Sequence, residues 1–390
     1  MDGEFRLLDF GSLDSFLLTG ETLHEASIPI MKPRLPSADA IYPYLKQIDE
    51  SRVYSNYGPL HTLLTERLAS YFAVSPSQLL VLTNGTVALQ GAIATSTSSG
   101  SCWSLPSWTF VATAQAIAAT GNSCYFLDIE QDTWALGRPD FSDVDGCIAV
   151  APFGDRLDID QMFRNQFSLN KPLVIDAASC FDAYKDISLP TDPSTAIMIS
   201  LHATKLVSTG EGGILIASED WITEIKKWSN FGFLGDRVAR GVATNTKASE
   251  YQAAIGLASL DEWRLMRVSW VDRISAIKRA VEHSNWKLQP AVDKGYVTST
   301  CIAQFDSAQS KQIVTKMFSK HGISTRNWWG DGVHMMPAFA DTSSDILTNT
   351  QRIAETTLGI PCFSDISDEE VDLIGRALNE ARMELFSLTD

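Results

Sequence analysis

The sequence predicts an α/β protein: a mixed, mostly parallel sheet flanked by helices, followed by a smaller C-terminal α+β domain. Three observations predict it. Short apolar runs alternate with helix-like stretches from about residue 79 to 217. Helical patterns then dominate as far as residue 283, with no Gly/Ser linker. From about residue 287 the texture changes to an alternating strand, a helix and a last amphipathic helix. The expected organisation is an N-terminal arm over 1–30, a large domain over 31–265 and a small domain over 266–390.

Taken in order, Pro33 and Pro36 precede a helical pattern over 38–50. Asn56-Tyr57-Gly58-Pro59 has turn chemistry, and helical periodicity resumes over 61–72 with leucines at 63, 64 and 68. Residues 79–82 form a short apolar strand that stops at Thr83-Asn84-Gly85-Thr86, and a helix is expected over 87–95. Strand, small polar turn and helix leave backbone N–H groups at Gly85 and Thr86, at the positive end of a helix dipole. Such an end binds phosphate readily, although an ordinary capped helix has the same pattern.

Pro106-Ser107-Trp108-Thr109-Phe110 leads into an alanine-rich helix ending near Thr120. Strands are expected over 124–127, 146–151 and 173–175, the last ending at Asp176. A carboxylate at the C-terminal end of a buried strand lies where open α/β sheets gather ligand groups. It can equally cap the small residues Ala177-Ala178-Ser179.

Two further apolar runs, 196–199 and 214–217, enclose Ser200 to Gly213, which reads S-L-H-A-T-K-L-V-S-T-G-E-G-G. Lys205 therefore sits on a loop between two buried strands. Rigid placement suits an amine that must reach one carbon of a bound aldehyde. A bare S-x-x-x-x-K usually marks no more than a surface lysine, so the pattern needs company. Helices are expected over 221–228, 249–263 and 270–283, a strand over 297–305, and helices over 309–320 and 368–384.

Composition narrows the partners. The 390 residues are 45% hydrophobic and 20% charged, which is ordinary for a globular chain with a large core. A net charge of −16 argues against nucleic acid or an anionic membrane surface, since both need a basic face. An anionic ligand would require a local positive field. The cysteines, at 102, 124, 147, 180, 301 and 362, form no C-x-x-C and no zinc spacing. No metal site is expected. Several lie in apolar runs, as small hydrophobes do, which fits a reducing, cytoplasmic setting. The first twenty residues carry Asp2, Glu4 and Asp9 and do not read as a signal peptide. No run of eighteen apolar residues suggests a membrane span.

Seven stretches stand in order with sensible gaps: Asn56 to Pro59, Thr83 to Leu89, Pro106 to Phe110, Val174 to Ala178, Ser200 to Gly213, Asn245 to Glu250, and His334-Met335-Met336-Pro337. From about residue 30 to its end, the chain resembles the DegT/DnrJ/EryC1/StrS family of pyridoxal-phosphate (PLP) sugar aminotransferases. The resemblance implies an aspartate aminotransferase-like fold, PLP fold type I. It implies that Lys205 joins the PLP aldehyde as a Schiff base and that Asp176 meets the pyridine nitrogen, making the ring an electron sink. Trp108 takes the place of the aromatic that stacks on the ring. Gly85 and Thr86, with the Ser200 hydroxyl, hold the phosphate. Asn245 reaches the phosphate of the neighbouring subunit, which requires a homodimer with shared active sites.

The family's reaction moves an amino group from L-glutamate to a nucleotide-linked keto sugar. The cofactor alternates with pyridoxamine phosphate, and Lys205 shuttles the proton. Two departures stand out. Where many members carry Gln, a small residue and His, this chain has Ser179-Cys180-Phe181, so Ser179 is the candidate neighbour of the phenolic oxygen. Before His334 stands Thr325-Arg326-Asn327-Trp328-Trp329-Gly330, where many members have tyrosines. That Arg-x-Trp-Trp run is associated with a branch that includes dTDP-4-amino-4,6-dideoxyglucose synthases of the VioA type. Trp328 and Trp329 are candidates to stack on sugar or base, or simply to pack the small domain. Arg326 and Lys247 are candidates for the substrate's charge, and His334 is a further candidate for the substrate site.

The acceptor expected on this resemblance is dTDP-4-keto-6-deoxy-D-glucose. Rival readings are a 3-keto-6-deoxy sugar aminotransferase, a pyridoxamine-phosphate-dependent sugar dehydratase, and a catalytically silent regulatory paralogue. The dehydratases replace the Schiff-base lysine with histidine. A silent paralogue should lose Lys205 or Asp176, and both residues are present.

Overall fold

Leu79-Leu80-Val81-Leu82 has no polar face, so it must be covered on both sides. In the computed structural model, which describes residues 28–137, 143–159, 171–187 and 193–388, this run is strand β1 (Leu79–Leu82) of a central sheet. The others are β2 (Cys102–Pro106), β3 (Ser123–Leu127), β4 (Gly146–Val150), β5 (Leu173–Asp176), β6 (Thr195–Ser200) and β7 (Gly213–Ile216). Among the described residues the order is β1-β7-β6-β5-β4-β2-β3. β3, β2, β4, β5 and β6 run parallel, while β7 lies antiparallel to both β6 and β1. The mixed, mostly parallel sheet of the sequence reading is thus observed.

Because successive strand residues point to opposite faces, each strand feeds two cores. Leu173, Ile175, Ile197 and Ile199 face one side, where α1 (Ala38–Ser51), α2 (Pro59–Phe72) and α6 (Glu250–His283) pack. Val174, Ala196 and Met198 face the other, against α3 (Gly85–Ser96), α4 (Val111–Ala119) and α5 (Glu219–Trp228). A second sheet, order β10-β9-β8, joins β8 (Lys287–Leu288), β9 (Cys301–Gln304) and β10 (Thr357–Ile360) antiparallel. It is accompanied by α7 (Ala308–Lys320), α8 (Thr348–Thr356) and α9 (Asp368–Ser387).

Several expectations change. The separate helices over 249–263 and 270–283 are one continuous helix, α6. Residues 264–269 contain neither Gly nor Pro, so nothing stops it. Its apolar stripe fades there because the buried face passes from Ala253, Leu257 and Trp263 to Ile274, Ile277 and Val281. The expected boundary at 265/266 falls inside this helix. Ser249 starts it with a capping box: its hydroxyl accepts the Gln252 N–H, and Gln252 Oε1 accepts the Ser249 N–H. The strand expected over 297–305 shortens to β9, and β2, β8, β10 and α8 were not anticipated.

Of the expected arm, residues 1–27 lie outside the described residues. Ile28 is buried and makes a parallel bridge to Ile323. No helix among the described residues is long and apolar enough to cross a membrane.

Candidate active site

The carboxyl ends of β4, β5 and β6 lie side by side, with Val150 opposite Asp176 and Asp176 opposite Met198. Beyond β6 the chain forms a tied loop. Leu201 N–H donates to Gly212 O, Ala203 N–H to Gly210 O, and the Ser208 hydroxyl to Leu201 O. This loop carries Lys205 back over the end of β5. The residue as a whole is half-buried, but its amine turns inward and donates to Ser179 Oγ at 2.8 Å. Burial lowers the amine's pKa from the ordinary lysine value, and the nearby Asp176 carboxylate works against that shift.

Asp176 is buried at the strand end. Oδ2 accepts from the Thr113 hydroxyl at 2.7 Å and Oδ1 from the Ala178 N–H at 3.1 Å. Burial pushes its pKa up; the two donors and the Lys205 charge pull it down. No cation touches the carboxylate among the described residues.

The turn between β1 and α3 lies on the same rim. Asn84 Oδ1 caps α3 by accepting the Val87 N–H at 2.9 Å. The Gly85 and Thr86 N–H groups have no hydrogen-bond partner among the described residues. A Cβ at Gly85 would lie 3.0 Å from Met198 Sδ and 3.5 Å from Ser200 Cβ, so the helix start rests directly on the end of β6. Gly213 makes this approach possible, because a Cβ there would fall 2.6 Å from the Asn84 carbonyl. Ser200 Oγ accepts the His202 N–H at 3.2 Å, and its own proton is available to a further acceptor.

The remaining candidates group differently. Trp108 is buried edge-on to Trp329, with ring centroids 5.3 Å apart, and Trp329 stacks on Phe153 at 3.9 Å. Trp328 is half-buried with the Arg326 guanidinium 4.7 Å from its ring centroid. The indole nitrogens of Trp108 and Trp328 are buried without a partner among the described residues. His334 Nδ1 lies 2.6 Å from Ser107 Oγ, which also accepts the His334 N–H, so this histidine ties its segment to the residue before Trp108. Burial lowers its pKa.

Lys247 donates to Asn245 Oδ1 at 2.6 Å and to Asn230 Oδ1 at 2.8 Å. Its backbone bridges Leu82, and the Thr246 carbonyl accepts the Thr83 N–H, so this segment runs beside the chain entering α3. The structure therefore joins Lys205, Asp176 and Ser179, with Ser200, Gly85 and Thr86 adjoining. Among the described residues no hydrogen bond or ring contact links Asn245, Lys247, Arg326 or Trp328 to Lys205.

Residues 37–379 match the family described as the DegT/DnrJ/EryC1/StrS aminotransferases. The chain belongs to this family. It is 27% identical over 386 residues to Protein Mb3436c of Mycobacterium bovis, covering 91% of this chain and 90% of that one. A dTDP-4-amino-4,6-dideoxy-D-glucose transaminase of Shigella dysenteriae is 28% identical over 243 residues, covering 61% of this chain and 65% of that protein. Among solved structures, a Bacillus cereus protein assigned as a PLP-dependent aminotransferase superposes with a TM-score of 0.78 at 26% identity, covering 90% of this chain and 99% of that one. The protein is thus a transaminase of the sugar aminotransferase family, with PLP as its cofactor.

The residues present fit that cofactor. An inward-turned amine and, among the described residues, a buried carboxylate without a contacting cation and two unpartnered N–H groups match an aldehyde, a basic ring nitrogen and a phosphate. Sequence reasoning missed Thr113 and Thr109, whose hydroxyls lie behind Asp176. The signal was present in Thr109-Phe110-Val111-Ala112-Thr113, two threonines four apart at a helix start, where they share a face.

Proposed function

We propose that this transaminase moves the amino group of L-glutamate to a nucleotide-linked keto sugar, with dTDP-4-keto-6-deoxy-D-glucose as acceptor and dTDP-4-amino-4,6-dideoxy-D-glucose as product. The observation that carries the reading is the Lys205 amine held 2.8 Å from Ser179 within electrostatic range of Asp176. Bound PLP supplies the electron sink that makes the donor's α-proton labile.

The chain's own residues do the rest. Lys205 is the amine that joins the aldehyde and, once displaced by the donor, takes and returns the proton at the substrate carbon. Its lowered pKa keeps a larger neutral fraction for that work. Asp176 holds the ring nitrogen in its protonated form. The Gly85 and Thr86 N–H groups and the Ser200 hydroxyl take the phosphate, and Ser179 sits by the phenolic oxygen. Trp108 flanks the ring. Asn245 serves the site of a second copy, in a homodimer.

Arg326 and Lys247 support a site for an anionic sugar nucleotide. Burial lowers both pKa values, and neither residue forms an ion pair with a carboxylate among the described residues. Trp328, Trp329 and His334 complete the acceptor side. The acceptor's identity draws on the Arg-x-Trp-Trp run and on the similarity to the Shigella dTDP-4-amino-4,6-dideoxy-D-glucose transaminase.

The test is incubation with PLP, L-glutamate and a panel of nucleotide-linked 3-keto and 4-keto sugars, with products read by mass spectrometry and NMR. Amination at C4 of the dTDP sugar is expected. Amination confined to a 3-keto sugar would replace the proposed acceptor, and loss of water without gain of nitrogen would replace the reaction.

A further inference from the structure

Behind Asp176 lies a two-hydroxyl relay. Thr113, in the first turn of α4, places Oγ1 2.7 Å from Asp176 Oδ2 and 2.8 Å from Thr109 Oγ1. Both threonines are fully buried, at 0 and 1% exposure, so no solvent competes for these hydroxyls. An ionised carboxylate can only accept, so the Thr113 proton must point at Asp176. Thr113 then has only its lone pairs for Thr109, and the Thr109 proton must point at Thr113. The chain therefore has one direction while Asp176 is ionised, and each hydroxyl polarises the next.

The turn that starts the relay also places the ring wall. The Thr109 N–H donates to Ser107 O at 3.0 Å, closing a tight bend with Trp108 at its middle. The titratable groups acting on Asp176 are Lys205, which favours its ionised form, and Cys180, which burial keeps as a neutral thiol. Neither donates a hydrogen bond to the carboxylate among the described residues. Its orientation is set by Thr113 and by the Ala178 N–H.

We infer that Thr113, oriented by Thr109, is a positioning residue that keeps Asp176 ionised and aimed at the cofactor's ring nitrogen. The inference rests on the proposed reading that Asp176 faces that nitrogen. Removing the hydroxyl while keeping the shape deprives a buried carboxylate of one of its two donors and leaves Thr109 without an acceptor.

The test uses the whole protein loaded with PLP labelled with ¹⁵N in the ring, and reads the nitrogen's chemical shift across pH. Wild type and Thr113→Ser should show a protonated nitrogen over the same range. Thr113→Val should lose that proton at lower pH, with kcat for the glutamate half-reaction down about tenfold and KM little changed. Asp176→Asn should show the nitrogen unprotonated throughout. Thr109→Val, which leaves the direct donor in place, should move the titration in the same direction by less, and serves should Thr113→Val not fold. A wild-type titration in both threonine variants, with Asp176→Asn shifted, overturns the relay and leaves the Asp176 reading intact. An unshifted nitrogen in Asp176→Asn overturns both.

Discussion

Asp182 and Asp155 are buried as deeply as Asp176, yet the three are treated differently. Asp182 receives Arg267 through Nε at 2.6 Å and Nη2 at 3.1 Å, and also the Val297 N–H at 3.1 Å. Asp155 holds Lys294 Nζ with both oxygens, at 2.8 and 2.7 Å. Each of these carboxylates joins distant parts of the chain, and each has its charge balanced by the chain itself. Asp176 has a hydroxyl and one N–H and, among the described residues, no contacting cation. Burial of a charge without a contacting cation is costly, and under the proposed reading the ligand brings that cation. A protonated pyridine nitrogen is such a cation.

Glu250 sharpens the contrast from another side. It has no contacting cation among the described residues either, but its oxygens accept the Leu60 and His61 N–H groups at 2.7 and 2.9 Å. It thereby caps α2, whose N-cap Gly58 has no side chain to do so. The start of α2 is closed by the protein's own carboxylate, while at the start of α3 the Gly85 and Thr86 N–H groups have no partner among the described residues, as the proposed phosphate site requires.

The largest expected effect comes from removing the site's amine. Lys205→Ala should lower transamination by on the order of 10³-fold or more, with the thermal midpoint of the apoprotein little changed. Retained turnover in that variant would end the assignment of Lys205. Asp176→Asn should lower kcat by about 10²-fold. Its stability effect should depend on pH. Burial raises the folded-state pKa of Asp176. The contribution to stability is therefore full below the unfolded carboxylate value and is lost as pH rises through the folded value. Urea unfolding of the apoproteins should show wild type losing stability relative to Asp176→Asn as pH increases through that range. A wild type that gains stability instead would contradict the raised pKa of a buried Asp176 carboxyl.

Arg267→Ala should do the reverse of Asp176→Asn. It leaves Asp182 buried with one N–H and should cost about 2 kcal/mol, below the range for a fully buried pair and above that for an exposed one, because Arg267 itself is 44% exposed. Its kcat should stay at the wild-type level. The smallest effect is expected for Glu250→Gln, which keeps one acceptor for α2 and should cost about 1 kcal/mol by denaturant titration, again without a change in kcat.

Much of this was legible in the sequence because the sheet strands are uniformly apolar and bounded by polar turns. β1 and β5 fall within a residue of their expected ends, and Asp176 and Lys205 follow directly from where strands stop. β8 has only two residues, the apolar run of β10 is interrupted by Gly359, and α8 carries only Ile353 and Ala354 as apolar residues, so no period shows. The continuous α6 was hidden because its buried face shifts midway, which breaks the stripe without breaking the helix. The hydroxyls of Thr109 and Thr113 escaped for another reason. Their role depends on the strand 63 residues beyond Thr113 that brings Asp176 alongside, and no local pattern encodes that distance. The pairing of Lys247 with Asn245 and Asn230, and of His334 with Ser107, likewise arises from tertiary placement.

The most direct measurement is reductive trapping. The protein is incubated with PLP, reduced with borohydride over a series of pH values, digested, and mapped by mass spectrometry. A single pyridoxyl group on Lys205 is predicted, with attachment rising at a pH below the ordinary lysine value of 10.5, since burial lowers that amine's pKa. A label on a different lysine, or no stable attachment at any pH, would contradict the placement of the cofactor between Lys205 and Asp176.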